Sequence, residues 1–364
     1  MKRKIIIMLL IFGMFLNIQN LCFAKHFKSK IKAQTENISK EENKNTDGVF
    51  FPMNNIGDNR VWVGTFQLVW NNLQDDIIKA PIQFTGIKSE LADNLNKQMF
   101  KKDMISDDSY YIKSGNMTNA LKEEIEGALI EKFNEKSDIL DNLDWSNDEM
   151  ILVYAMLKKD FEFIKEFEKL KNENFMGTPV KFFGAKKEAP LDLRQNINVL
   201  YYRNPDDYAV KLYTKTNDEV ILYRTDVEES FEYYYKDLKR KTASNPLKDY
   251  FSKNDSMKIP YIDFNEMFQY KELTNKPIFG TDFTISNAIQ TVDFKMDNKG
   301  AKLKSEAAIT VGLTSAAPEI REKREFNFDK PFVLFLIEKD KNTPYFIAHF
   351  KNAELLKKIT DGED

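Results

Sequence analysis

Near the carboxyl end of the chain, apolar and polar positions first alternate with period two, and then the polar ones drop out. Val292, Phe294 and Met296 alternate with Asp293, Lys295 and Asp297, the pattern of a strand with one face in a core. Asp297-Asn298-Lys299-Gly300 reads as a turn. Beyond it Ala301, Leu303, Ser305, Ala307, Ile309, Val311 and Leu313 fall on one face, and Lys302, Lys304, Glu306, Ala308, Thr310, Gly312 and Thr314 on the other. That predicts a strand of about 14 residues where about 5–6 is usual, ended by Pro318, which has no N–H for a ladder. Phe332–Ile337 and Tyr345–Phe350 are near-continuous apolar runs joined by EKDKNTP. They predict a hairpin buried on both faces, each large side chain contributing about 1.5–3 kcal/mol.

Upstream, Trp62, Phe66, Val69, Trp70, Leu73 and Ile77 recur at helical spacing and predict a helix that buries one face. Asp107–Gly115 reads as a strand, and Leu121, Ile125, Ala128, Leu129 and Phe133 make a helix behind a cap at Thr118. Met150–Leu157 is a buried strand. Thr178–Phe183 opens a second half in which Ile197–Tyr202, Ala209–Tyr213 and Glu219–Tyr223 read as consecutive antiparallel strands, followed by a helix over Glu228–Lys241. Met257–Phe264 reads as one further strand. No repeat and no Gly/Ser linker interrupts residues 48–352, so one mixed α+β domain is expected, with 353–364 as a charged tail.

The amino end changes the setting. Lys2-Arg3-Lys4, the apolar run Ile5–Leu16 and Ala24 after Cys22-Phe23 read as a secretory signal over residues 1–24. The apolar run is too short for a membrane span, which needs about 20 residues. A secreted, extracellular protein is expected. The alternative is a lipid anchor on Cys22, although Leu21 is larger than the residue such a signal prefers before its cysteine. Residues 25–47 are polar and aperiodic, a flexible spacer. Loss of Lys2, Arg3 and Lys4 moves the formal net charge from −3 to −6, which argues against nonspecific nucleic-acid binding. The only cysteine leaves with the signal, so no disulfide is expected, and 29 Phe and 15 Tyr must supply the core instead.

Catalytic chemistry has little to work with. His26 lies in the spacer and His349 in the closing hairpin, so a nucleophile–histidine pair has no candidate base beyond a residue that reads as structural. There is no HExxH, no cysteine pair for zinc and no phosphate loop, so no metal and no cofactor are expected. A hydrolase working with two carboxylates is the remaining enzymatic reading, and nothing singles out a pair. Lys236, Lys239, Arg240 and Lys241 follow Tyr233-Tyr234-Tyr235 and read as the solvated face of a helix whose aromatics turn inward.

The closing stretch FDKPFVLFLIEKDKNTPYFIAHFKN, the DNKG turn and SEAA at 305–308 resemble the carboxyl-terminal end of the serpin superfamily. VFFPMNNI at 49–56, MILVYAML at 150–157 and MKIPYIDF at 257–264 resemble other serpin segments more weakly. The resemblance implies a large mixed sheet with helices packed around it and an exposed reactive loop. It implies a monomeric, non-enzymatic inhibitor whose loop is cleaved by a target protease and then enters the main sheet. Gly300 or Lys304 would occupy the hinge glycine position, followed by Ser305, Glu306, Ala307 and Ala308. The bait bond would fall within Ser315, Ala316, Ala317, Pro318 and Glu319. Small residues there suit an elastase-like or subtilisin-like protease, while Ala317–Pro318 itself resists cleavage. Arg321, Lys323 and Arg324 are trypsin-like alternatives.

Four residues that depart from the family pattern favour the other reading, a non-inhibitory binding or scaffold protein of the same fold. Lys304 stands at the hinge, and Ile309 is bulkier than the usual residue. Gln290 stands where the family has a histidine beneath the sheet opening, with Tyr154 in place of that histidine's Asn partner. Separately, between the helix at 118–135 and the strand at Met150 there is room for one helix where the family has two, so the helix that in the family lies across the main sheet is expected to be missing.

Overall fold

The computed structural model describes residue 50 and residues 53–137, 140–147, 150–245, 249–301 and 323–359. Its first part forms β1 (Asn54–Ile56), β2 (Asn59–Val63), α1 (Thr65–Asn72), α2 (Glu90–Leu95), β3 (Tyr110–Asn116), α3 (Asn119–Phe133), β4 (Met150–Leu157) and β5 (Phe161–Glu162). Then come β6 (Glu168–Lys169), β7 (Glu173–Phe175), β8 (Thr178–Val180), β9 (Phe182–Ala185), α4 (Leu191–Arg194), β10 (Ile197–Asn204), β11 (Asp207–Tyr213) and β12 (Asp218–Arg224). The last part forms α5 (Phe231–Ala243), β13 (Asp249–Tyr250), β14 (Ser256–Pro260), β15 (Ile262–Gln269), β16 (Thr284–Met296), β17 (Gly300–Ala301), β18 (Glu325–Asn327), β19 (Phe332–Glu338) and β20 (Phe346–Phe350). The fold is α+β.

The closing hairpin lies inside the widest sheet, ordered β1-β2-β20-β19-β12-β11-β10-β13. Every residue of β19 and β20 is buried, as expected of strands covered on both faces. Phe332 pairs with Phe350, and Leu336 with Phe346. A second sheet joins β3, β4 and β16, with β15 along the far edge of β16. A third runs β18-β14-β9-β6.

Helix α1 is buried along nearly its whole length, Thr65 to Asn71, so its polar side chains need partners. The Gln67 amide donates to Asn71 Oδ1 and to the Leu95 carbonyl, and Asn71 donates to the Phe100 carbonyl. Phe66, Val69 and Trp70 of α1 pack with Ile151, Val153 and Ala155 of β4 and Ile285 and Ala288 of β16. On the opposite face of the same sheet, Leu121, Ile125 and Leu129 of α3 pack with Leu152, Tyr154 and Ile289. The expected loss of the covering helix is therefore corrected: α3, capped by the Thr118 hydroxyl that accepts from Leu121 N–H, supplies that cover.

Three boundaries differ from the sequence reading. Trp62 belongs to β2, opposite Ile347, and the helix starts at Thr65 and ends in a wider π-helical turn over Leu73–Ile78. The stretch 257–264 is two strands in two sheets, because Pro260 ends β14 and β15 begins at Ile262. The charged tail begins with buried Ala353, Leu355 and Leu356, and Leu356 and Lys358 bridge to Ile262 and Val180.

Candidate functional site

Strand β16 organises the site. Along one edge it pairs antiparallel with β15, from Ile289–Gln269 to Met296–Ile262. Along the other it pairs in parallel with β4 from Thr284–Met150 to Thr291–Met156. Above Thr291 that second edge has no ladder partner among the described residues until Met296. There the chain turns through Asp297–Gly300 and comes back as β17, with Ala301 opposite Met296 on one side and Phe161 of β5 on the other. The first two residues after the turn thus sit as a wedge between β16 and β5, at the mouth of the β16–β4 seam.

The turn is built for that wedge. Asp297 Oδ1 accepts from Lys299 N–H at 2.8 Å, and Asp297 N–H donates to the Gly300 carbonyl. The Asn298 and Lys299 carbonyls accept from Phe167 and Phe163 N–H, fixing the turn to the segment after β5. Gly300 has φ +148°, and a Cβ there would lie 2.1 Å from the Phe161 carbonyl oxygen. Only glycine allows β5 to approach this closely.

Under the seam, Gln290 is fully buried. Its amide donates to Thr65 Oγ1 at 2.8 Å and to the Val63 carbonyl, and its Oε1 accepts from Tyr270 Oη at 2.8 Å, which in turn accepts from Asn54. The polar contact that would latch the two strands from beneath is therefore built on an amide. Tyr154 takes no part in it. Gln290 pairs with Ala155 in the ladder, and Tyr154 pairs with Ile289 and packs on the α3 face, so Gln290 and Tyr154 lie on opposite sides of the sheet.

The far end of the loop is equally well fixed. Arg324 is buried, which corrects its reading as an exposed trypsin-like bait residue. Its guanidinium grips Asp255 with Nη2–Oδ2 at 2.8 Å and Nε–Oδ1 at 3.2 Å, and Nη2 also donates to the Tyr250 carbonyl. Asp255, itself fully buried, accepts in addition from Ser252 N–H. Directly beyond, β18 pairs in parallel with β14 from Glu325–Ser256 to Asn327–Lys258. Lys323 is exposed.

Of the reactive-loop residues, Gly300 and Ala301 are described. Lys304, Ser305, Glu306, Ala307 and Ala308, the bait residues Ser315, Ala316, Ala317, Pro318 and Glu319, and Arg321 lie outside the described residues.

The remaining candidates are structural. His349 is buried, and its Nδ1 accepts from Arg60 Nη2 at 2.9 Å. Burial, joined by the Arg60 charge and opposed by Glu228, lowers its pKa to about 4. The imidazole is neutral and packs edge-on against the Tyr234 ring. In the α5 cluster, Lys241 is buried and bound to Asp207 and Asp237, both at 2.8 Å, which corrects its place on a solvated face. No group of three or more acidic, His or Cys side chains arranged for a metal occurs among the described residues. No helix among them is long and apolar enough to cross a membrane.

Residues 252–353 match the family model for serpins, serine protease inhibitors. No curated protein sequence matches the chain. Similar solved structures include serine protease inhibitor serpin-12 of Manduca sexta, at 12% identity over 83% of this chain and 95% of that one, with a TM-score of 0.49. Serpin48 of the insect Tenebrio molitor is similar at 12% identity over 80% and 91%, with a TM-score of 0.45. Human thyroxine-binding globulin is similar at 11% identity over 79% and 97%, with a TM-score of 0.44.

Proposed function

We propose that this chain, which belongs to the serpin superfamily, is an exported inhibitor of a serine or cysteine protease that uses the segment between Ala301 and Arg324 as bait. The observation that carries the reading is the wedge: β17 already stands between β16 and β5, at the head of an edge of β16 that has no ladder partner among the described residues from Val292 to Lys295.

A strand continued from Ala301 in the same register meets suitable neighbours. Leu303, Ser305 and Ala307 would stand opposite Phe294, Val292 and Gln290, all buried. Lys304, the departure from a hinge glycine, would stand opposite Asp293 on the exposed side, an attractive cross-strand pair. The one unfavourable pair is Lys302 opposite Lys295, at the wet end of the seam. Twenty-two residues separate the two anchors, and the bait bond is assigned to Ser315–Glu319, with Arg321 and Lys323 as the basic alternatives.

In the reaction, the protease's nucleophile bonds to the bait carbonyl carbon, the peptide C–N bond breaks and the amine leaves with a proton. The acyl group stays on the protease. The new carboxyl-terminal segment enters the seam, carrying the attached protease with it before water cleaves the ester or thioester. Incubation with a panel of elastase-like, subtilisin-like and trypsin-like proteases should yield a covalent complex that survives SDS. If every protease only clips the chain and goes free, inhibition is the wrong reading.

A second reading is favoured by the lower half of the seam. There β16 and β4 are paired from Thr284 to Thr291, Gln290 is pinned from beneath and α3 covers the outer face. Entry beyond residue 305 must part that ladder and slide Glu306 under α3. A chain that never opens it would be a binding or scaffold protein with a static loop.

A further inference from the structure

We propose that the face beside the Thr284 end of β16 docks a second copy of this chain about a two-fold axis, each copy inserting Phe279 into a cavity of the other. Phe279 is 67% exposed, the most exposed large apolar side chain among the described residues. Close by is a cavity of about 330 Å³ whose walls include Ile82, Phe84, Ile87 and Ala92. Knob and hole are built on one short strand. Residues 82–85 run antiparallel to 277–279, with Phe84 bridged to Ile278. Along that edge Phe279 N–H donates to the Gln83 carbonyl at 2.8 Å, and Thr85 N–H to the Pro277 carbonyl at 2.9 Å. Along the other edge the Asn96 amide clasps Ile82, accepting from its N–H at 3.1 Å and donating to its carbonyl at 2.8 Å. The Phe84 carbonyl accepts there from Ile87 N–H. This register sets Phe279 directly beside Gln83. Both are exposed, and Gln83 also lines the cavity. The knob thus stands one strand spacing, about 4.8 Å, from a wall of the hole.

A face that carries a knob and a hole side by side is complementary to its own image. A two-fold axis between them brings each copy's knob to the other's hole, and the contact closes with two copies. Charge points the same way. Over residues 79–93 and 271–284, Lys79, Lys88, Lys271 and Lys276 are balanced by Glu90, Asp93, Glu272 and Asp282. This face therefore does not repel its own copy, although the chain as a whole has a formal net charge of −3. Exposed Pro81, Ile87 and Pro277 add uncharged surface around Phe279. An aromatic anchor in a desolvated pocket carries most of the energy of such a contact. The main-chain bonds that fix both walls mean that little order has to be gained on docking. With one anchor from each copy the contact falls in the small class, below about 1,200 Å², so the dimer is weak and reversible. It replaces the monomer that the family resemblance implies, and it is independent of protease inhibition.

Sedimentation velocity of the purified protein, from micromolar to submillimolar concentration, tests it. The expected result is a reversible shift from monomer to dimer, with no larger species. Phe279→Asp should weaken the dimer at least about tenfold, because the two-fold contact loses both anchors at once, and Ile87→Asp, in the wall of the hole, should do the same. Met176→Asp, altered at an exposed side chain between β7 and β8, should dimerise as the parent does. Melting curves show whether each variant is folded, and Phe279→Ala takes the place of Phe279→Asp where the charge lowers the melting temperature. A photoreactive benzoylphenylalanine at position 279, in a mixture of unlabelled and isotope-labelled chains, should crosslink one copy to residues 82–93 of the other. A chain that stays monomeric at every concentration, which would leave the face to a partner of another kind, overturns the proposal. So do crosslinks that land elsewhere, or a dimer that folded Phe279 variants form undiminished.

Discussion

Burial holds the His349 imidazole at about 4, against its ordinary 6.5, with the Arg60 guanidinium pushing the same way. The folded protein therefore keeps this side chain neutral at a pH where the unfolded chain has already protonated it. The stability it confers is fully present above about pH 6.5 and is lost as pH falls toward about 4. Between pH 7 and pH 5 the loss is about 2 kcal/mol from this group. Denaturant unfolding at both values, compared between the parent and a His349→Gln variant, isolates it from the carboxylates that titrate lower down. If parent and variant lose the same stability, the assignment fails. The structural role of His349 was legible, since one histidine inside an apolar run has few alternatives. The burial of Lys241 and Arg324 was not, because a lone Lys or Arg reads as solvent-facing until its acid is known, and Asp255 lies 69 positions from Arg324.

At the scale of elements, the loop is a segment with two built feet, and the rear one can be tested alone. Asp255 holds the Arg324 guanidinium by two charged bonds and the Arg324 N–H by a third contact at 3.3 Å. Truncating it leaves a buried cation without its carboxylate, a loss of about 3–5 kcal/mol. The Asp255→Ala variant should unfold at correspondingly lower denaturant. Brief trypsin treatment read by mass spectrometry should then show cleavage after Arg324, which the parent resists. Equal resistance in both chains would mean that the foot is held by β18 and β14 without this pair. The hairpin β19–β20 was the most legible element, because two unbroken apolar runs around a polar linker leave little choice of partner. The break at Pro260 also left a trace: Met257 and Ile259 are apolar on odd positions, Ile262 and Phe264 on even ones. That slip of phase is what a strand leaving one sheet for another looks like. Trp62 was misassigned because its spacing to Phe66 is helical by coincidence. Gly64, with the Phe100 ring within 2.4 Å of where a Cβ would be, marks the corner between strand and helix.

For the whole molecule the question is whether the β16–β4 seam opens, and one nick decides it. The uncut chain holds residue 301 at the mouth and Arg324 at the rear, so full entry of the segment between them is expected only after one end is released. Cutting between 315 and 319 frees it. If the seam opens, the freed strand adds a ladder along both β16 and β4 and buries Leu303, Ile309, Val311 and Leu313. It would also replace a parallel contact with two antiparallel ones, and antiparallel pairing is slightly the more stable per residue. Gains of several kcal/mol move the melting temperature of a chain this size by on the order of 10 °C. Calorimetric melting of the cut and uncut protein should show a rise of that order. A nicked chain that melts where the intact one does has kept its seam shut, and the loop is then a static surface feature. Latch chemistry sharpens the expectation. Gln290 carries no titratable group, and burial pushes the Tyr270 phenol further above its ordinary range, so the rise on cutting should be the same at pH 6 and pH 8. A latch closed by an imidazole would instead weaken or tighten across that interval, because protonation changes a ring nitrogen from acceptor to donor.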